Sequence, residues 1–98
     1  MKQWLYLLRP VRAEMNIDPT PEETDAAERH FQRLKAMLAD GRLVLAGRTL
    51  EEVPFGIVVF EAETEDEARA IMEGDPAVRE GVMTATLHPY RVALMRRA

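Results

Sequence analysis

The side chains able to move protons or hold charge are few in this 98-residue chain, and its two histidines stand first among them. His30 is followed by Phe31 and lies four residues before Leu34, on the flank of an apolar helical stripe. An imidazole titrates near neutral pH and so serves as a general acid or base. The same position also suits a helix-edge histidine that packs and hydrogen-bonds to a neighbour. Asp75, followed by Pro76, has a structural post of its own, because aspartate before proline caps a helix N-terminus. A carboxylate there is equally able to orient an imidazole and stabilise its charged form, one oxygen capping while the other faces the ring. His30, Asp75 and His88 are spaced unlike any standard zinc motif, so no metal site is expected. Arg9 and Arg48 end apolar segments, where a guanidinium clamps an anion or simply meets solvent. With His88, they are the candidate pocket residues. The chain has no cysteine, which removes thiolate chemistry, disulfides and cysteine-based zinc sites. Glycine-rich phosphate loops and nucleophile elbows are missing too, and no cofactor is expected.

Length and charge bound the rest. A chain of this size is one domain, residues 1–98, with a thin core of its own. A 47% hydrophobic and 31% charged composition is that of a globular protein. The net charge of −4 argues against nucleic acid as a partner. The one dense basic cluster, Arg96-Arg97, reads as a solvated tail. The apolar stretch 4–8 is too short for a signal-peptide core, and no segment approaches a membrane span. A cytoplasmic protein without membrane contact is expected.

The elements that must position these side chains are legible in the punctuation. Residues 3–9 read as a strand stopped by Pro10, with Trp4, Tyr6 and Leu8 on one face and Leu5 and Leu7 on the other. Thr20, Pro21 and Glu23 form a capping box for a helix over 21–39, ended by Gly41. Ala27, Phe31, Leu34 and Leu38 are the expected buried stripe. Strands follow at 43–47 and 55–62, and the short link through Glu51, Glu52 and Pro54 predicts an antiparallel hairpin. Thr64 and Glu67 suggest a second capping box, before a helix with the stripe Ala68, Ile71, Met72. Asp75-Pro76 stops it and starts a short turn through Glu80, ended by Gly81. A last strand is expected over 82–95, interrupted near Pro89.

The order β-α-β-β-α-β with right-handed crossovers gives a ferredoxin-like α+β fold: a four-stranded antiparallel sheet with two helices on one face. The other face stays uncovered, yet the first and third strands are apolar on both sides. Whether Trp4, Tyr6 and Leu8 or their alternates line that open face, a homodimer through it is the simplest cover. Trp4 and Tyr6 are accordingly assigned to the core or the dimer interface, with pocket lining as the second reading, and the methionines to core filling.

The run His30 to Gly47, a helical histidine followed by Asp40-Gly41-Arg42-Leu43 and Ala46-Gly47, resembles the signature of the YciI-like (YCII-related) proteins. Glu67-Ala68, Asp75-Pro76, Gly81-Val82 and His88-Pro89-Tyr90 extend the likeness in the same order and spacing. The resemblance implies a dimeric α+β barrel with a pocket in each subunit. It also implies that His30 and Asp75 are the family's recurring polar pair, suspected of acid–base work; one relative performs a dehydrochlorination. The chain departs from the pattern at Arg48, where the family often has proline, and in its short hairpin link. Substrate class therefore does not carry over.

Together these readings lead to a small dimeric enzyme performing elimination or isomerisation of a small organic molecule with a His30–Asp75 pair. The alternative is a non-catalytic dimeric module that binds a small ligand or stabilises a partner. In a third reading the pair only caps and packs.

Overall fold

The computed structural model describes residues 1–96. Its elements are β1 (Lys2–Pro10), α1 (Pro21–Ala39), β2 (Leu43–Arg48), β3 (Gly56–Ala62), α2 (Glu65–Glu73), α3 (Pro76–Arg79) and β4 (Met83–Tyr90), with a 3-10 turn at Ala13–Asn16. The strands form one antiparallel sheet in the order β2-β3-β1-β4, the expected ferredoxin-like arrangement.

Local chemistry sets the element ends. Thr20 accepts from the Glu23 amide at 3.1 Å while Glu23 accepts from the Thr20 amide at 2.9 Å, a complete capping box at α1. At α2 only half of the expected box forms: Thr64 accepts from the Glu67 amide, with no reciprocal bond from the Glu67 side chain. Gly41 and Gly81 take φ of +79° and +75°, left-handed turns that only glycine enters without strain. Strand β4 stops at Tyr90 rather than running on to 95, because its partner β1 begins at Lys2 and the register ends with Gln3 opposite Tyr90. Of the terminal Arg96-Arg97 pair, Arg96 is exposed and Arg97 lies outside the described residues.

Strand alternation decides what each face carries. Trp4, Tyr6 and Leu8 of β1 join Val58, Phe60 and Ala62 of β3 beneath the helices, against Leu34 and Met37 of α1 and Ala68, Ile71 and Met72 of α2. Burying side chains of that size stabilises by roughly 1.5–3 kcal/mol each. The opposite face carries Leu5, Leu7, Leu45, Ile57 and Val59 in register, so the alternates line the open side, while Trp4 and Tyr6 are core.

The buried stripe of α1 differs from the expected one. Glu23, Ala26, Leu34 and Met37 are buried, while Phe31 and Leu38 are exposed. The helix is rotated because polar residues on its inner side find partners. Glu23 holds Arg12, His30 holds Asp75, and Arg33 donates to the Ile71 carbonyl at 2.8 Å. Apolar periodicity is blind to a core face built partly from satisfied polar groups.

Candidate active site

The inner end of the site is a carboxylate with no exposed surface. Asp75 caps α3, its Oδ1 accepting from the Ala77 amide at 3.0 Å. The Tyr6 hydroxyl, arriving from the central strand, donates to Oδ2 at 2.7 Å. From α1, His30 Nδ1 lies 2.7 Å from Oδ2 and 2.9 Å from Oδ1. One residue thereby links the sheet, the long helix and the short helix. Tyr6 is itself fixed by an edge-to-face contact with Phe60, centroids 5.5 Å apart.

The electrostatics follow from this geometry. Burial alone would raise the Asp75 carboxyl, but hydrogen bonds from His30 and Tyr6, the nearby imidazole charge and the Ala77 amide outweigh it, and the group is held below the ordinary aspartate range. The Tyr6 phenol is pushed far above its ordinary value, first by burial and then by the adjacent Asp75 charge and hydrogen bond. An ionised carboxylate only accepts, so His30 Nδ1 carries the proton between them, and in the neutral ring Nε2 is a lone-pair acceptor. Nε2 has no partner among the described residues, and no buried side-chain nitrogen or oxygen there is left unpaired. Solvent must therefore reach Nε2.

It does so through a cavity of about 750 Å³ that His30 lines. The walls come from Leu8 and Met83 in the sheet, Phe31 and Leu34 of α1, and Phe55 and Val58 of the hairpin, so they are mostly apolar. Its mouth is framed by the segment between β1 and α1. There Arg12 grips the Glu23 carboxylate through Nε and Nη2 at 3.1 and 3.0 Å, and Asn16 accepts from Arg48 at 2.8 Å.

The expected pocket residues divide by strand parity. Arg48, opposite Gly56 on the helix-facing side, lines the cavity. Arg9 and His88 do not. Arg9, one residue past Leu8, turns to the other side of β1 and lies over the Phe55 ring at 5.1 Å. His88 sits opposite Leu5 on the open face, its Nε2 2.9 Å from the Thr86 hydroxyl oxygen. His30 and His88 thus lie on opposite sides of the sheet. Among the described residues no group of three or more potential ligands gathers for a metal, and no helix is long and apolar enough to cross a membrane. Sequence reading placed Tyr6 in the core or dimer interface, with pocket lining second, and missed its bond to Asp75. The usable signal was that a buried phenol requires a hydrogen-bond partner.

The two shifts set the pH limits of stability. The folded chain favours neutral Tyr6, so the stability it adds is intact below about pH 10 and lost as pH rises further. Folded Asp75 favours the carboxylate, so its contribution is intact above about pH 4 and lost as pH falls. Denaturant midpoints are expected to drop below about pH 4 and above about pH 10, and Tyr6→Phe should remove much of the alkaline drop. Identical alkaline limbs for the two proteins would contradict the assignment.

A sequence model of the YCII-related domain matches residues 4–87, a span that includes Tyr6, His30, Arg48 and Asp75 and ends just before His88. Among solved structures, the chain is similar to the 5-chloro-2-hydroxyhydroquinone dehydrochlorinase TftG from Burkholderia phenoliruptrix AC1100 in complex with 2,5-dihydroxybenzoquinone. The TM-score is 0.69 at 17% identity, over 91% of this chain and 93% of that one. At such identity the likeness establishes the fold. No curated protein matches the chain in sequence.

Proposed function

The chain belongs to the YCII-related domain family, and from that premise we propose that it is a cytoplasmic homodimeric enzyme that removes and returns protons in the elimination or isomerisation of a small organic molecule. The observation that carries this reading is the chain Tyr6–Asp75–His30, which ends on a ring nitrogen open to an apolar cavity. His30 Nε2 takes the proton from an acidified carbon or hydroxyl of the substrate. Asp75 fixes the ring by its Nδ1–H and stabilises the imidazolium that forms, and Tyr6 holds Asp75 in place. A substrate seated between the apolar walls displaces the water there, which strengthens each of these interactions. In an elimination the electron pair left by the proton forms the new double bond as the leaving group departs; in an isomerisation His30 returns the proton elsewhere. The likeness in fold to a dehydrochlorinase agrees with the elimination arm.

The first probe is chloride release from 5-chloro-2-hydroxyhydroquinone. The second, for isomerisation, is deuterium exchange at acidic C–H bonds of small ketones in heavy water. His30→Ala is expected to lower whichever rate is observed by about 10² to 10⁴-fold, the usual worth of a placed general base. A variant as fast as the parent, or a parent inert in both assays, would leave the cavity a ligand-binding site, the non-catalytic alternative.

A further inference from the structure

We infer that the cavity takes a small, largely apolar organic anion, and that Arg48 is the specificity-determining residue that receives its charged group. This deepens the reading of the cavity as a substrate site and rests on it. Arg48 ends β2 on the helix-facing side of the sheet, exposed at the cavity mouth, and it is the only cationic side chain among the described residues that line the cavity. Among the described residues its one side-chain hydrogen bond goes to a neutral group, the Asn16 side-chain oxygen at 2.8 Å. A guanidinium carries five donors in a planar fork, so most of them are unspent, and the Asn16 tether fixes the fork's direction.

The lining carboxylates do not neutralise it. Glu23 is occupied by Arg12 through two bonds and by the Thr20 amide. Glu28 keeps its charge, accepting only from the neutral Gln32 amide on its own helix at 2.9 Å, but it makes no ion pair with Arg48 among the described residues. Arg12 pairs with Glu23, Arg29 with Asp25 and Glu80, and Arg69 with Glu65, whereas Arg48, like Arg9 and Arg33, has no carboxylate partner among the described residues. Arg48 shares the cavity lining with Phe31, Phe55, Met15 and Met83. A carboxylate or phenolate on a compact apolar body satisfies both features, its charge on Arg48 and its body between the apolar walls. Such an occupant reaches from β2 towards His30 on α1, so Arg48 selects and His30 reacts.

The test uses benzoate and its neutral isostere benzamide, titrated into the full chain and followed by NMR shifts of the cavity residues. Benzoate is expected to bind at least about tenfold more tightly than benzamide, and Arg48→Gln to abolish that preference while benzamide affinity stays unchanged. Arg9→Gln, whose side chain lies outside the cavity, should keep the preference. His30→Ala should keep it too, although it removes turnover. Failure of the catalytic reading therefore shows in the rate assays and failure of this one in the titration. No benzoate binding up to about 10 mM, equal affinity for the two probes, or a preference that survives Arg48→Gln would each overturn the assignment.

Discussion

Asp75→Asn is expected to cost about 10² to 10⁴-fold in turnover while leaving the fold nearly intact. Asparagine still caps α3, because its side-chain oxygen can accept from the Ala77 amide as Asp75 does. Its amide group, however, places donors where Tyr6 and His30 now find an acceptor. The Tyr6 hydroxyl can turn to accept instead. The shorter contact to Nδ1, 2.7 Å at the Oδ2 position, then holds a donor in place of an acceptor, which favours the imidazole tautomer with its proton on Nε2, so the face turned to the cavity becomes a donor and the base is lost. Asp75→Ala separates chemistry from stability: it removes the cap and strands a buried phenol and an imidazole, for a loss of about 3–5 kcal/mol. Long-range proton–nitrogen spectra report the tautomer, and denaturant midpoints report the fold. Turnover within tenfold of the parent for Asp75→Asn, or a proton still on Nδ1, would sink the proposed role.

The second large effect concerns the uncovered face of the sheet. In the proposed homodimer Leu7, paired across the strands with Ile57 and Thr86, lies inside the contact. Because a two-fold contact presents each residue twice, Leu7→Glu buries two carboxylates in apolar surroundings. The penalty of about 4–6 kcal/mol corresponds to a dimer dissociation constant raised by roughly 10³ to 10⁴-fold. Sedimentation velocity should show the parent as a dimer at micromolar concentration and the variant as a monomer, with helix content unchanged by circular dichroism. A monomeric parent at that concentration, or an equally tight variant, would contradict the dimer.

Most of the fold was legible because its boundaries are written in residues with single physical meanings. Thr20-Pro21 starts a helix, Gly41 and Gly81 permit turns that other residues resist, and Asp75-Pro76 both ends one helix and starts another. What could not be read was orientation. With both faces of β1 apolar, alternation separates Tyr6 from Leu7 but cannot say which one the helices cover. The same parity then carries Arg9 and His88 away from the cavity while Arg48 faces it, a distinction that needs the register. The face of α1 was misassigned for a related reason. Its inner side is partly Glu23, His30 and Arg33, each with a partner distant in sequence, while Phe31 and Leu38 obey a helical period outside the buried core. Phe31 instead lines the cavity, with Lys35 over its ring at 5.8 Å.

The framing of the cavity mouth has a consequence for how such a protein diversifies. The groups proposed to react are embedded between α1, α3 and the central strand, where Tyr6 and His30 are each bonded to Asp75. Asn16 and Arg48 belong to the rim, formed by the segment after β1 and the β2–β3 hairpin, and neither is among the buried core residues. Substitutions or length changes in the rim can therefore accumulate by drift without dismantling the proton-carrying chain. An ancestral scaffold of this kind can pass through many ligand preferences on one inherited chemistry, and chains separated by large sequence distances can still share the interior while sharing nothing at the entrance.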